Sequence, residues 1–151
     1  MSELATVIAI HLADVESGPV HAVDSVEAVA GAGLRGDRYF EPGAKPTEQL
    51  TLIESEELEA LAADAGIELA PGESRRQLTT RGVRLNPLVG RRFRVGEVEC
   101  LGIELCEPCS HLQKLTAREG LMRAFAHKAG LNAEILTGGE IAVGAVIEPL
   151  D

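Results

Sequence analysis

The stretch AEILTGGEIAVGAVI, residues 133–147, is the part of the sequence that most clearly indicates the fold. Its two apolar segments, 133–136 and 140–147, flank Gly138 and Gly139, which is a typical hairpin signal. Along the second segment both alternating sets of residues are apolar or small, so both faces of that strand are expected to be covered. In an all-β domain this pattern is typical of a barrel or of a sheet packed beneath helices. We therefore predict a mainly β fold, a closed antiparallel β-barrel with a few inserted α-helices.

The remaining elements are predicted from local patterns. Apolar segments 93–95 and 98–105 around a Gly-Glu pair predict a second hairpin. A helix is predicted over 55–65, where apolar residues recur on one face and Gly66 follows. A second helix is predicted over 116–129, since this segment begins with the capping box TARE.

Composition limits the classes of protein to which the chain can belong. Its 151 residues, 45% of them hydrophobic, are expected to form a single domain over residues 1–151. The formal net charge of -10 and the 3% aromatic content argue against a module that stacks nucleic-acid bases. Three cysteines are too few for a disulfide framework, and the sequence shows neither a secretory signal nor a membrane-spanning stretch. We expect a cytoplasmic protein with reduced thiols and no membrane partner.

An arginine-rich segment, RRQLTTRGVRLNPLVGRRFR, occupies residues 75–94. It contains seven of the 14 basic residues and no acidic residue, whereas the rest of the chain contains 24 acidic and seven basic residues. A local cationic zone on an acidic protein is expected to attract an anionic ligand, and arginine suits bidentate contacts with phosphate. Thr79, Thr80, Gly82 and Asn86 add hydroxyl, backbone and amide donors. The alternative is a solvated basic face that pairs with the excess acidic residues.

A cysteine motif, Cys106-Glu107-Pro108-Cys109, precedes Ser110 and His111. A C-x-x-C pair can be a redox couple or half of a zinc site, but the sequence has no second such pair and no H-x-x-x-H, and His11, His21 and His127 are not at ligand spacing from it. Cys106 and Cys100 are interpreted as small buried hydrophobic residues. Cys109 follows a proline at the end of a predicted strand, where a thiolate could attack carbon or sulfur or bind a soft metal.

Five segments, taken in order, carry a resemblance to a known family: RQLTTRG at 76–82, LVG at 88–90, FRVG at 93–96, EPC at 107–109 and GEIAVG at 139–144. Together with GLRGDR at 33–38 they resemble the MOSC domain. This domain is found at the C-terminus of molybdenum-cofactor sulfurases and as stand-alone bacterial proteins. The resemblance covers about Val26 to Ile147.

The resemblance implies a compact β-barrel that binds the molybdenum cofactor, molybdopterin. It makes Cys109 the functional thiol, both the catalytic residue and the metal ligand. The candidates for holding the pterin phosphate are Arg76, Thr79, Arg81 and Asn86. His111 is a further candidate for cofactor binding, with a helix-start or packing role as its alternative. Molybdopterin combines a phosphate with a soft, sulfur-bound metal, so one ligand would account for both the arginines and the thiol.

Three functions remain open from the sequence. The first is a small molybdenum-cofactor oxidoreductase that acts on N-hydroxylated or related compounds, with a small-molecule substrate and an electron-donor protein as partners. The second is a non-catalytic protein that carries or stores sulfur or the cofactor for a cofactor-handling partner. The third is a generic anion-binding or nucleic-acid-binding barrel, which the net charge of -10 and the scarcity of aromatic residues disfavour.

Overall fold

A computed structural model describes residues 4–108 and 110–150, with the side chains of Ser110 and His111 outside the description. The fold is mainly β, with a few short helices, as predicted. None of the described helices has the length and apolar character that a membrane span needs. The strands are β1 (Thr6–Ala13), β2 (Val20–Val23), β3 (Ser25–Val29), β4 (Gly33–Leu34), β5 (Leu50–Glu54), β6 (Leu78–Arg81), β7 (Arg92–Val95), β8 (Val98–Leu105), β9 (Leu131–Ile135), β10 (Gly139–Ala142) and β11 (Ile147–Pro149). The α-helices are α1 (Ser55–Ala65), α2 (Ser110–Thr116) and α3 (Leu121–Ala124), and short 3-10 helices lie at Pro46–Glu48 and Asn86–Leu88.

Eight strands form the main sheet in the order β11-β7-β8-β9-β5-β6-β1-β2, and β10, β3 and β4 form a second, three-stranded sheet. Neighbouring strands are antiparallel except β5 and β6, which are parallel because α1 lies in the crossover between them. The predicted hairpin of β7 and β8 is confirmed, with Val95 opposite Val98 across a turn at Gly96. The prediction of an antiparallel sheet therefore holds for all but one pair of strands.

Closure of the main sheet is not confirmed as a continuous ladder of strands. The sheet is curled and open, since its order ends at β11 on one side and β2 on the other. An isolated bridge between Thr6 and Val146 links β1 to the segment that precedes β11. Two backbone hydrogen bonds support it, from the Val7 amide to the Ala145 carbonyl at 3.0 Å and from the Ile147 amide to the Ala5 carbonyl at 2.8 Å.

The predicted hairpin of residues 133–147 is wrong, because its two strands lie in different sheets. Both edges of β9 are already occupied, by β8 and β5, whereas β10 pairs with β3. The amides of Leu136 and Thr137 both donate to the Glu99 carbonyl, at 2.8 and 3.3 Å, so the chain stays on β8 beyond the end of β9. It leaves the main sheet only at the two glycines that were predicted to form the turn.

The first predicted helix is confirmed with the same bounds, 55–65, and ends at Gly66 in the left-handed conformation with φ 68°. The second, over 116–129, is confirmed only for the four residues of α3, and its predicted start and length are wrong. The Thr116 hydroxyl donates to the Leu112 carbonyl at 3.0 Å, so Thr116 completes the last turn of α2 instead of capping a new helix. Positive φ angles at Ala117 (54°) and Gly120 (80°) then interrupt the helical path before the four residues of α3.

An aliphatic core fills the interior of the curled sheet, and a second cluster packs α1 against α2 and α3. Gly102 on β8 allows a close approach that shapes this interior. A Cβ atom there would collide with the carbonyl oxygen of Leu88, which belongs to the 3-10 helix packed on the strand. The loop after β8, residues 106–108, emerges beside the end of the 129–130 segment, where the Cys106 amide donates to the Gly130 carbonyl at 2.8 Å.

Candidate functional site

A pocket of about 210 Å³ lies beside the loop that leads to Cys109. Arg38, Arg75 and Arg76 line it on one side together with Cys106. Further lining comes from the 3-10 helix at Pro46–Glu48, from β5 and from β9, which contribute hydroxyl, carboxylate and amide groups. The pocket therefore brings three arginine residues next to the cysteine motif.

Asp37 holds one of these arginines in place from a fully buried position. Its Oδ1 accepts hydrogen bonds from the Ala13 amide and from Arg38 Nη1, both at 3.1 Å. Its Oδ2 accepts from Gln77 Nε2 at 2.8 Å and from the Tyr39 amide at 3.3 Å. The Arg38 side chain is itself 6% exposed and lies over the Tyr39 ring, 4.4 Å from the ring centroid. Asp37, in the glycine-rich segment 33–38, thus supports the pocket from a buried position.

Arg75 has a donor without a partner. Its Nη2 is buried and makes no hydrogen bond within the described part of the chain, while its carbonyl accepts from Arg38 Nη2 at 3.3 Å. Burial lowers the pKa of Arg75, and the neighbouring Arg38 guanidinium lowers this pKa further. The residue also adopts a left-handed backbone with φ 64°, which is uncommon outside glycine. Arg75 faces a second, shallower groove of about 420 Å³ as well, next to Gly72 and Thr116. A buried donor of this kind is normally satisfied, so it indicates a site for an acceptor group.

Arg76 differs from Arg75 although it is the next residue. Its Nε donates to the Ala129 carbonyl at 2.8 Å, and its Nη2 donates to the carbonyls of Cys106 and Glu107 at 3.2 and 3.3 Å. Its Nη1 lies 3.5 Å from the Ser74 carbonyl. Of the phosphate-holding residues predicted from the sequence, Arg76 is the one that the structure places in the pocket.

The other predicted phosphate-holding residues lie outside that pocket lining. Thr79 is on β6, opposite Ala9 of β1. Arg81 contacts Glu59 and Ser55 of α1 through Nη1. Asn86 Nδ2 donates to the His127 carbonyl at 2.9 Å. Their roles toward a cofactor stay predictions.

Part of the arginine-rich segment pairs with acidic residues, as the alternative interpretation proposed. Besides Arg81, Arg92 Nη1 lies 3.2 Å from Glu99 Oε2, and Arg84 Nε lies 3.6 Å from Glu54 Oε1. Burial raises the pKa of Glu54, against the lowering effects of the Leu85 amide and Arg84. The segment is therefore divided between surface ion pairs and the pocket.

Cys109 lies outside the described residues, as does the His111 side chain; the His111 backbone is in α2. Cys100 is buried as predicted, and burial raises the pKa of its thiol to about 12. Cys106 is half-buried and lines the pocket. Among the residues with described side chains, no three His, Cys, Asp or Glu groups come together in a way that could hold a metal ion. The role of Cys109 as a metal ligand stays a prediction, because this residue lies outside the described part of the chain.

A side-chain contact between Glu107 and His127 lies next to the cysteine motif and was not predicted. Glu107 Oε1 accepts the His127 backbone amide, and Glu107 Oε2 contacts ring atom Nδ1, each at 2.6 Å. His127 falls within the predicted helix 116–129, but it has a left-handed backbone with φ 62° and lies in no helix. Arg38 and Arg75 were also missed as site residues. The GLRGDR segment and the Arg-Arg pair were the signals that could have indicated them.

The comparisons with known proteins agree with this fold. A family model for the MOSC domain matches residues 16–148, so the chain belongs to the MOSC domain family, which is associated with molybdenum cofactor binding. Among curated proteins no significant match was found.

Solved structures with the same fold include stand-alone proteins. The YuaD protein from Bacillus subtilis superposes with a TM-score of 0.84 at 17% identity, covering 97% of this chain and 96% of that one. YiiM from Geobacillus stearothermophilus gives 0.76 at 16% identity, covering 97% and 75% of the two chains. YiiM from Escherichia coli gives 0.70 at 19% identity, covering 100% and 70%. At these identities the likeness extends to the fold alone.

Proposed function

We propose that this protein binds the molybdenum cofactor in the arginine-lined pocket and acts as a small oxidoreductase on N-hydroxylated or related compounds. The observation that carries the proposal is the buried Nη2 of Arg75, which has no acceptor among the described residues and belongs to a side chain that lines the pocket beside the cysteine motif of a MOSC domain. An anionic group supplies the missing acceptor.

The residues present fit the phosphate of such a cofactor. Arg75 lines the pocket with an unpaired guanidinium donor, and arginine binds phosphate oxygens through paired N–H donors. Thr47 and Asn132 add a hydroxyl and an amide to the lining. Burial strengthens these contacts, since an ionic hydrogen bond is stronger where water is excluded.

Cys109 is the residue of this chain proposed to bind the metal. It follows Cys106 by three positions, and three residues of chain span at most roughly 10 Å, so the ligand position is tied to the wall of the pocket. A thiolate is a soft ligand that suits a soft metal centre. When bound, the molybdenum centre would supply the redox chemistry, while the protein binds and orients it. An electron-donor protein in the cytoplasm is the expected partner.

The experiment is purification under anaerobic conditions from a host that synthesises the cofactor, followed by metal analysis and a hydroxylamine-reduction assay. Stoichiometric molybdenum with turnover is the expected result, and Cys109→Ser removes both because a hydroxyl is a harder ligand. Cys100→Ala is the matched control, since that thiol is buried in the core. Limited alkylation of the apo protein is expected to label Cys109 before Cys100. A persulfide on Cys109 without molybdenum would instead favour the sulfur-carrier function.

A further inference from the structure

We propose that Arg76 is a positioning residue that clamps the loop bearing Cys109, while its neighbour Arg75 binds the anionic ligand. The assignment rests on the proposed function of the pocket, and it separates two residues that the sequence presents as equivalent. Each has the same side chain, and each lines the same pocket.

The hydrogen bonds of Arg76 join three segments of the chain. Its Nε binds the Ala129 carbonyl just before β9, and its Nη2 binds the carbonyls of Cys106 and Glu107 just after β8. The fourth acceptor is the carbonyl of Ser74, two residues upstream. Each of the three guanidinium nitrogens is thus directed at a backbone carbonyl, so the head group is engaged in holding backbone.

A second tie reaches the same loop from the other side. The Glu107 carboxylate accepts the backbone amide of His127 and contacts its Nδ1, and Asn86 Nδ2 donates to the His127 carbonyl. The left-handed backbone of His127 presents its amide and carbonyl to these two partners, at a conformational cost that the contacts offset. Residues 106 and 107 of the loop therefore both contact segment 127–130: the Cys106 amide donates to the Gly130 carbonyl, and the Glu107 carboxylate contacts His127.

The geometry of the clamp requires arginine. A planar fork reaches several carbonyls at once, whereas a lysine ammonium is a single point of charge on a flexible stem. Lysine at position 76 would therefore preserve attraction for an anion but lose the clamp. A positioning role therefore predicts that Arg76→Lys loosens the loop, whereas an anion-binding role predicts that Arg76→Lys preserves function.

The test compares Arg76→Lys, Arg76→Ala and Arg75→Ala in the full chain, with Arg94→Ala as a control at an exposed arginine on β7. Hydrogen exchange at the Cys106 amide reports the loop directly, because this amide donates to the Gly130 carbonyl. Calorimetric titration with pyrophosphate reports the anion site. In cofactor-loaded protein, the ratio of kcat to molybdenum content reports whether the loop is productively placed.

We expect both Arg76 variants to speed exchange of the Cys106 amide by at least about tenfold, with amides of β7 unchanged, as loss of hydrogen bonds from a charged donor implies. Arg76→Lys keeps pyrophosphate affinity within about twofold, the range left when charge is conserved, and lowers kcat per bound molybdenum. Arg75→Ala weakens pyrophosphate binding and molybdenum content while leaving the loop amide protected. Arg94→Ala changes neither measurement.

Two results would overturn the assignment. One is unchanged exchange of the Cys106 amide in Arg76→Lys. The other is pyrophosphate affinity that is lost in Arg76→Ala and restored in Arg76→Lys, which identifies an anion ligand. Failure of the proposed function is recognised separately, by wild-type protein that takes up no molybdenum.

Discussion

Replacing the buried carboxylate of Asp37 by an amide is expected to destabilise the protein strongly. Four donors converge on this carboxylate: the amides of Ala13 and Tyr39, Arg38 Nη1 and Gln77 Nε2. In Asp37→Asn one oxygen becomes an NH₂ group, which faces two donors in either orientation. At least two hydrogen bonds are lost, and the charge that balances the buried Arg38 guanidinium disappears.

The magnitude follows from burial. Breaking a buried ion pair by removing one partner costs about 3–5 kcal/mol, because the remaining charge is left without compensation. For a chain of this size each kcal/mol lowers Tm by roughly 2–4 °C, so we expect a decrease of roughly 6–20 °C. This loss is a large share of the 5–15 kcal/mol or so that stabilises an ordinary domain. Because Arg38 lines the pocket, affinity for pyrophosphate should fall as well.

Urea unfolding and thermal melting measure the change in the free energy of unfolding. The matched control is Glu27→Gln, which removes a carboxylate from the pair of Arg35 and Glu27, whose side chains are 57% and 59% exposed. An exposed pair contributes about 0–1 kcal/mol, so the control should melt close to the wild type. Equal destabilisation by both substitutions would refute the role given to the Asp37 network.

Three further expectations follow from other contacts. Gly130→Ala should lower the free energy of unfolding, measured with urea, by several kcal/mol. Gly130 has φ 119°, and a Cβ atom there would collide with the Leu52 carbonyl, so backbone strain and overpacking add together. Wild-type stability in this variant would contradict this packing. Burial raises the pKa of the Cys100 thiol from 9.0 to about 12, so the folded protein keeps this thiol proton to a higher pH than the unfolded chain does. The contribution of the thiol to the free energy of unfolding is therefore complete below pH 9 and is lost as the pH rises toward 12. Unfolding measured from pH 8 to 11 should show this loss in the wild type and its absence in Cys100→Ala. Glu107→Gln should change the free energy of unfolding by less than about 1 kcal/mol, because the contact of Glu107 with His127 is largely exposed. It should nevertheless speed hydrogen exchange in loop 106–108, and unchanged exchange would show that this contact does not hold the loop.

Local chemistry made several elements predictable from the sequence. The helix at 55–65 has its own apolar face and a glycine that accepts the left-handed conformation at its end, and both signals lie within a dozen residues. The hairpin of β7 and β8 is similarly specified by Gly96 at its turn. The aliphatic core and the cationic segment beside an acidic surface also follow from residue types alone.

Pairing between distant segments was decided by the tertiary structure. The glycine pair at 138–139 is a valid hairpin signal, but β8 and β5 occupy both edges of β9, and β10 therefore pairs with β3. The segment after Thr116 carries a good capping box, yet its hydroxyl is used one turn earlier, within α2. In both cases a local signal competed with contacts from elsewhere in the chain and lost.

The same reason separates the two arginines at the site. In sequence, Arg75 and Arg76 are adjacent and chemically identical, so composition could indicate an anion site but could not divide the work between them. Three of the four carbonyls that engage Arg76 lie 30, 31 and 53 residues away, at Cys106, Glu107 and Ala129. A guanidinium binds whichever acceptors the folded chain brings to it, and these acceptors come together only when the loop after β8 meets the start of β9. The sequence therefore indicates a cationic segment, and the tertiary structure determines which of the two arginines keeps a donor without a partner among the described residues.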